Sequence, residues 1–357
     1  MSKTNLRTKV SKTKWNEVDY YNYIAIDWSQ VNFALARSTQ KQREPKVLLW
    51  NKSDIKIVKN YLSQLTGSII LTIEETTTSH WLYVELKDYV DRIIICDPFK
   101  NRLLSDGPKT DKIDAKKLCE LLRAGLLKEV YHTTDRLYNY RQLLSAYNDL
   151  KNAGVRIQNQ RSALYRAKGF RYDKSGLPEL KKQLDDSDFS KFITDWQDDV
   201  IGDYFRDKKL FEKKINKIVM NNTIMKNLSR ISGIGTISAF EIVSVVIQAE
   251  RFKSRGHYLS YCGLVLYEKT SGNKSYGKRK PRYNRILHGV YKRAARTAIQ
   301  GSNNAIYEYY EALIKKGLTH KQATLMVARY IAKVTFGMMK NGKKYEPYRW
   351  RKDEVEA

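Results

Sequence analysis

The 357-residue sequence predicts an α/β domain at the N-terminus, a helical middle segment and a mainly α C-terminal domain. Three observations carry this. Apolar runs of strand length alternate with helix-period segments over residues 20 to 130. Strand signal then stops, and from Arg136 to about Lys168 apolar residues recur at alternating three- and four-residue steps. From residue 226 the pattern is helical again, opening on a glycine turn.

The N-terminal "MSKTNLRTKVSKTKW" is basic and lacks the apolar stretch of a signal peptide, so residues 1 to 19 read as a disordered basic arm. "YNYIAIDWSQVNFALARST" reads as two strands, Tyr23 to Ile26, ending in Asp27, and Val31 to Ala36. "PKVLLW" is a third. "SDIKIVKNYLSQL" has helical spacing behind a Ser53 or Asp54 cap. "GSIILTIEE" is a buried-type strand ending in Glu74 and Glu75, "SHWLYVELKDYV" a helix, and "DRIIICDP" a fifth strand closed by Pro98. Thr110 to Leu127 is helical, with Ile113, Leu118, Leu121, Leu122 and Leu126 apolar. The segment 131 to 225 carries a short heptad seam at Leu143, Tyr147, Leu150, Ile157 and Leu164, with Gly154 and Arg161 as its weak positions. A second helix runs through Phe211, Ile215 and Ile218. The two would pack as an antiparallel pair or across a dimer. The last domain spans 226 to 345, before a tail of 346 to 357.

The formal net charge is +28. Such an excess concerns partners, and a polyanion is the partner it suits. No apolar run approaches the ~20 residues of a membrane span, which leaves nucleic acid and no membrane. Cys96, Cys119 and Cys262 are far apart and form no CxxC, and the five histidines show no HxxxH. A reducing cytosol follows, without a disulfide framework or zinc site.

Metal-assisted phosphate chemistry needs carboxylates converging on a region of ~4 Å, because Mg²⁺ prefers oxygen ligands. Strand ends and an adjoining helix are the natural places. Asp27 ends one strand, Glu74 or Glu75 another, and Asp111 and Asp114 share a helical face at i and i+3. The plain alternative for the aspartate pair is a solvated helix start. Further on, "GKRKPRYNRILHGVYKRAART" belongs to a stretch without any acid between Glu268 and Glu308. Lys274, Lys278, Arg279, Lys280, Arg282, Arg285, Lys292 and Arg293 are candidate phosphate contacts there, interleaved with tyrosines that can stack on bases or sugars. Gly233 and Gly235 have the look of a helix-hairpin-helix turn, whose glycines admit a phosphate, though a simple turn explains them too. Ser271 stands in a Thr-Ser-Gly-Asn turn and, by residues alone, is a turn serine.

"AIDWSQ", "EETTTSHW", "KTDKIDAKKLCELLRAG", "ISGIGTISAFEIVSVV", Arg251-Phe252, "YCGLVLYEKTSGNKSYGKRK" and "KKYEP" occur in the order of one family's motifs. Over residues 20 to 348 the chain resembles the insertion sequence 110 family of bacterial transposases, the DEDD transposases. The resemblance implies a RuvC-like (RNase H-like) N-terminal domain, a coiled-coil segment and a serine-bearing transposase domain. It implies an Asp27, Glu75, Asp111, Asp114 tetrad holding Mg²⁺ or Mn²⁺, and Ser271 as nucleophile. Glu75 is preferred to Glu74 because its distance to Trp81 fits the motif and Thr77 then takes the threonine position. Thr78 stands where the family has glycine. The implied activity is DNA recombination through a serine-DNA link, guided by a structured noncoding bridge RNA that pairs with donor and target DNA. The implied setting is the bacterial cytoplasm, and the implied assembly a homo-oligomer, dimer or tetramer. Two rivals stand beside it. One is a metal-dependent nuclease or Holliday-junction resolvase in which Ser271 is structural, and the other a non-catalytic nucleic-acid architectural protein.

Overall fold

The computed structural model describes residues 15–101, 110–134, 136–170, 189–272 and 274–351. Most of the expected basic arm, part of the tail and Lys109 lie outside them. The chain forms two compact units, Met1–Thr134 and Asp135–Ala357.

Unit 1 is a mixed sheet with helices. Its strands are β1 (Asn22–Trp28), β2 (Phe33–Thr39), β3 (Lys46–Trp50), β4 (Ile69–Glu74), β5 (Arg92–Cys96) and the short β6 (Glu129–Val130), in the order β3-β2-β1-β4-β5-β6. Strand β1 pairs antiparallel with β2 and parallel with β4, and β4 runs parallel to β5. Helices α1 (Ile55–Ser63) and α2 (Ser79–Leu86) lie between strands, and α3 (Asp111–Arg123) follows β5. Strands buried on both faces read as continuous apolar runs, which is why they stand out in the sequence. Their alternation feeds two cores. Ile24, Ile26, Leu71, Ile73 and Ile95 pack with Val58, Leu62, Leu82 and Leu86 from α1 and α2. Tyr23, Ala25, Ile70, Ile94 and Cys96 pack with Ala115, Leu118, Cys119 and Leu122 from α3. Strand β6 was missed because two residues carry no periodicity. Ahead of β1, Trp15–Glu17 forms a 3-10 turn and Trp15 packs on the α3-side core.

Among its described residues, unit 2 is helical apart from one hairpin. Helices α4 (Tyr140–Ala167) and α5 (Phe189–Met220) are an antiparallel pair within one chain. Tyr147 donates to Glu212 Oε1 at 2.9 Å, Gly154 faces the Tyr204 ring, and Arg161 ion-pairs with Asp198. These seven-residue steps explain the seam's weak positions. A Cβ on Gly154 would stand 2.4 Å from the Tyr204 ring. The buried stripe of α4 is Leu144, Tyr147, Gly154, Ile157 and Tyr165, so it departs from the expected Leu143 and Leu164 by one residue at each end. A 3.6-residue turn drifts away from a strict heptad over three repeats.

The rest of the unit comprises α6 (Thr223–Leu228), α7 (Thr236–Val246), α8 (Arg255–Tyr261), β7 (Tyr267–Ser271), β8 (Lys274–Arg279), α9 (Arg285–Gln300), α10 (Ala305–Lys315) and α11 (His320–Asn341). Its core joins Leu144 and Ile215 from the helix pair to Phe240, Tyr291 and Phe336, so it runs without a break across residue 225. Trp350 is buried and its Nε1 donates to the Ala305 carbonyl at 3.0 Å.

All three cysteines are buried thiols outside any disulfide. Burial pushes the Cys119 thiol up to about 11 and the Cys262 thiol up to about 12. Only the thiolate reacts. At pH 8 the folded chain is expected to leave both unmodified by a chromogenic disulfide reagent over minutes, and to react fully in denaturant. Rapid native reaction at either position would contradict this packing.

Candidate functional site

Asp27 and Glu74 converge because of strand parity. The β1–β4 register pairs Ile26 with Ile73, so the next step sets Asp27 beside Glu74. Side chains two apart share a face. Asp27 follows Tyr23 and Ala25, and Glu74 follows Ile70 and Thr72, on the face that α3 covers. Helix α3 begins there, with Thr110 Oγ1 accepting the Ile113 N–H at 3.3 Å, and its first turn carries Asp111 and Asp114. The Asp27 carboxyl is pushed up to about 6, first by burial and then by the charges of Asp111, Asp114 and Glu74. Repulsion of this kind makes a proton or a cation welcome. Among the described residues no three His, Cys, Asp or Glu side chains stand close enough to hold a metal ion as they are. The four carboxylates share one field without having closed on one point. Their chemistry, hard oxygen donors, fits Mg²⁺.

Glu75, preferred on motif distance, is not part of this set. Its N–H donates to the Cys96 carbonyl at 3.0 Å, which continues the β4 edge. Its Oε1 lies 3.8 Å from His132 Nε2. Strand alternation sends it away from the α3 face. One of the lysines around the aspartates is committed too, since Lys116 Nζ is 2.9 Å from Glu44 Oε1.

In unit 2, Ser271 is the last residue of β7 and is exposed at the head of a hairpin, where the sequence suggested a turn serine. Lys274, Lys278 and Arg279 lie on β8, all exposed, and Lys278 stands opposite Glu268. Arg282, Arg285 and Lys292 are exposed. Lys280 leans over the Tyr283 ring at 5.5 Å, with its Nζ 3.4 Å from His288 Nε2. His288 Nδ1 lies 3.2 Å from the Cys262 carbonyl, and burial, then Lys280, hold this imidazole below its usual range. Arg293 is exposed and carries an ion-pair partner. Its Nη2 lies 2.6 Å from Glu241, which is 2% exposed and also 3.4 Å from Lys151 Nζ. Neither Glu241 nor His288 was singled out from the sequence. An acid inside an apolar helix such as "TISAFEIVSVV" is the signal that could have found the first.

The two glycines of the turn separate. Gly233 has φ +85°, and a Cβ there would fall 2.1 Å from the Ala294 carbonyl oxygen on α9. That close approach leaves no room for a side chain there. Gly235 caps α7 with open space around it. Gly233→Ala is expected to cost roughly 3 kcal/mol, from positive φ and from the steric conflict with backbone. A urea titration would show it as a lower midpoint at unchanged slope.

The architecture defines a class: a mixed α/β unit with carboxylates gathered at the end of its sheet, joined in one chain to a basic helical unit with an exposed hairpin. No described helix is long and apolar enough to cross a membrane. Residues 225–311 match the family model described as "Transposase IS116/IS110/IS902 family". The chain is 31% identical over 140 residues to the insertion element IS110 uncharacterized 43.6 kDa protein of Streptomyces coelicolor, covering 39% of this chain and 34% of that protein. It is 26% identical over 137 residues to the insertion element IS116 uncharacterized 44.8 kDa protein of Streptomyces clavuligerus, covering 38% and 34%. The matched stretches thus span about a third of each curated relative. Over these stretches the chain is similar to transposases of the IS116/IS110/IS902 family.

Proposed function

We propose that this chain is a DNA transposase that cuts and rejoins strands through a serine-DNA link. The observation that carries the proposal is the convergence of Asp27 and Glu74 with the first turn of α3, in a chain whose other unit is strongly basic. The sheet order β3-β2-β1-β4-β5-β6, with β3, β2 and β1 antiparallel, β1, β4 and β5 parallel and the short β6 antiparallel at the edge, supports a RuvC-like reading of unit 1.

Asp27, Glu74, Asp111 and Asp114 would hold Mg²⁺ or Mn²⁺. Bound there, the cation would offset negative charge on a phosphodiester. Glu74 takes the place that motif spacing gave to Glu75. The chain's own residues supply the rest. Cations of the basic unit, Lys274, Arg279, Arg282, Arg285 and Lys292, neutralise phosphates. Ser271 Oγ loses its proton and bonds to phosphorus as the bond to one sugar oxygen breaks. That oxygen leaves as a hydroxyl carrying a proton. The reverse step, with a different strand's hydroxyl attacking the phosphoserine, rejoins DNA and restores the serine. No external energy is needed, because the phosphoester is exchanged and never hydrolysed. Base pairing with a structured noncoding bridge RNA would supply sequence choice. That suits an enzyme whose basic residues address backbones, and a homo-oligomer would bring two DNA partners together.

The reading is tested by strand exchange on element-end DNA, with the RNA present. Exchange should require Mg²⁺ or Mn²⁺ and cease with chelator. Asp111→Asn, which removes one charge at nearly constant shape, should lower exchange by about 100-fold or more, with RNA binding retained. Full exchange by that variant at saturating Mg²⁺ would return Asp111 to the role of a solvated helix start.

A further inference from the structure

Strands β7 and β8 form a ribbon whose described residues are all exposed, and none of them enters the core of unit 2. Its two faces differ. Ser271 pairs with Lys274 and Tyr267 with Arg279, and alternation places Lys269 between them on the same side. Tyr276, two residues beyond Lys274, joins that side. On the other face Glu268 stands opposite Lys278 and Thr270 opposite Ser275, and Ser275 Oγ donates to Glu268 Oε1 at 2.6 Å.

A bulge decides which cation goes where. Between these two pairs the register shifts, and β8 carries the extra residue. Gly277, at φ +83°, is the residue that accommodates it. If Gly277 instead took a regular strand position, Lys278 would share the face of Ser271 and Arg279 would leave it. The Ser271 face therefore carries Lys269, Lys274 and Arg279 with no acid, and two tyrosines, Tyr267 and Tyr276, exposed by 50% and 53%. The opposite face balances Lys278 against Glu268.

We infer that the Ser271 face of this ribbon seats a single DNA strand, with phosphodiesters against Lys269, Lys274 and Arg279 and bases against Tyr267 and Tyr276, while Lys278 stays off the strand. Charge selects the face, since an unbalanced cationic surface attracts a polyanion and a balanced one does not. Exposed rings select an unpaired strand, whose base faces are free to stack. The inference rests on the proposal that Ser271 acts on DNA. It adds which side receives the strand, and it divides the basic cluster into residues that touch and residues that do not.

The test is anisotropy of a labelled single-stranded DNA oligomer with the full chain, over a salt series. Lys269→Ala and Lys274→Ala should each reduce the slope of log affinity against log salt by about 0.7. Tyr267→Ala and Tyr276→Ala should each weaken binding by about 5- to 100-fold at unchanged slope. Lys278→Ala should change neither. An equal effect at Lys278 and Lys269 overturns the assignment. So does a loss seen only with a uridine RNA oligomer, or no binding of the DNA oligomer by the unaltered chain. The parent proposal is scored by covalent trapping. An adduct with face-independent slopes removes the ribbon assignment alone, and face-dependent slopes without any adduct remove the serine chemistry alone.

Discussion

Ser271→Ala is expected to abolish both strand exchange and the covalent protein-DNA species, a loss of at least about 10⁴-fold. Nucleic-acid binding should stay within about twofold of the unaltered chain, because Ser271 is exposed, contributes no charge and ends a strand that alanine can occupy. Water is no substitute. Hydrolysis would discard the phosphoester that the serine conserves for rejoining. Labelled DNA run on a denaturing gel should show a protease-sensitive shifted band with the unaltered chain and none with the variant. Ser271→Cys should retain a trace at most, since sulfur is a poor nucleophile toward a hard phosphorus centre. Strand joining by the alanine variant would leave Ser271 a hairpin residue. A resolvase-like reading, with water or a DNA hydroxyl as nucleophile, would then be the better one.

The second large effect is expected at one of two adjacent glutamates. Glu74→Gln should lower exchange by about 100-fold or more, and Glu75→Gln by less than about tenfold. The side chains are chemically identical and differ only in the face of the sheet they occupy. Glu74 contributes to the field that holds the Asp27 carboxyl up at about 6, whereas Glu75 lies toward His132. The sign of a further effect follows from that shift. Asp27 is protonated below about pH 6 and ionised above it, so it is a cation ligand only on the alkaline side. Mg²⁺ should therefore raise the thermal midpoint at pH 8 and lose that effect as the pH falls below 6. Glu74→Gln should blunt the Mg²⁺ effect and Glu75→Gln should keep it. The reverse ranking would restore the motif-based choice of Glu75.

Much of unit 1 was legible in the residues. "YIAID", "IILTIE" and "RIIIC" are apolar on both faces, and such runs admit few readings other than buried strands. Helix α3 was legible from its apolar spacing. Less could be read where backbone pairing, and not apolar pattern, builds the element. The ribbon "YEKTSGNKSYGKR" has no apolar face to reveal its period, so its strands are invisible until they pair. The close approach of Gly233 to the Ala294 carbonyl is likewise absent from the sequence pattern. So is the pairing of Arg293 with the buried Glu241, 52 residues away.

By itself, then, the sequence determined the charge, the order of strands and helices from β1 to α3, the acidic and hydroxyl residues available, and a resemblance to one family's motifs. These are properties of single residues or short windows. Tertiary structure alone decided which of Glu74 and Glu75 meets Asp27, that α4 and α5 pair within one chain, and which face of the ribbon carries Ser271. Each of these depends on register between segments distant in sequence. A one-residue change of register or parity sends a side chain to the opposite face, and no local pattern records that choice.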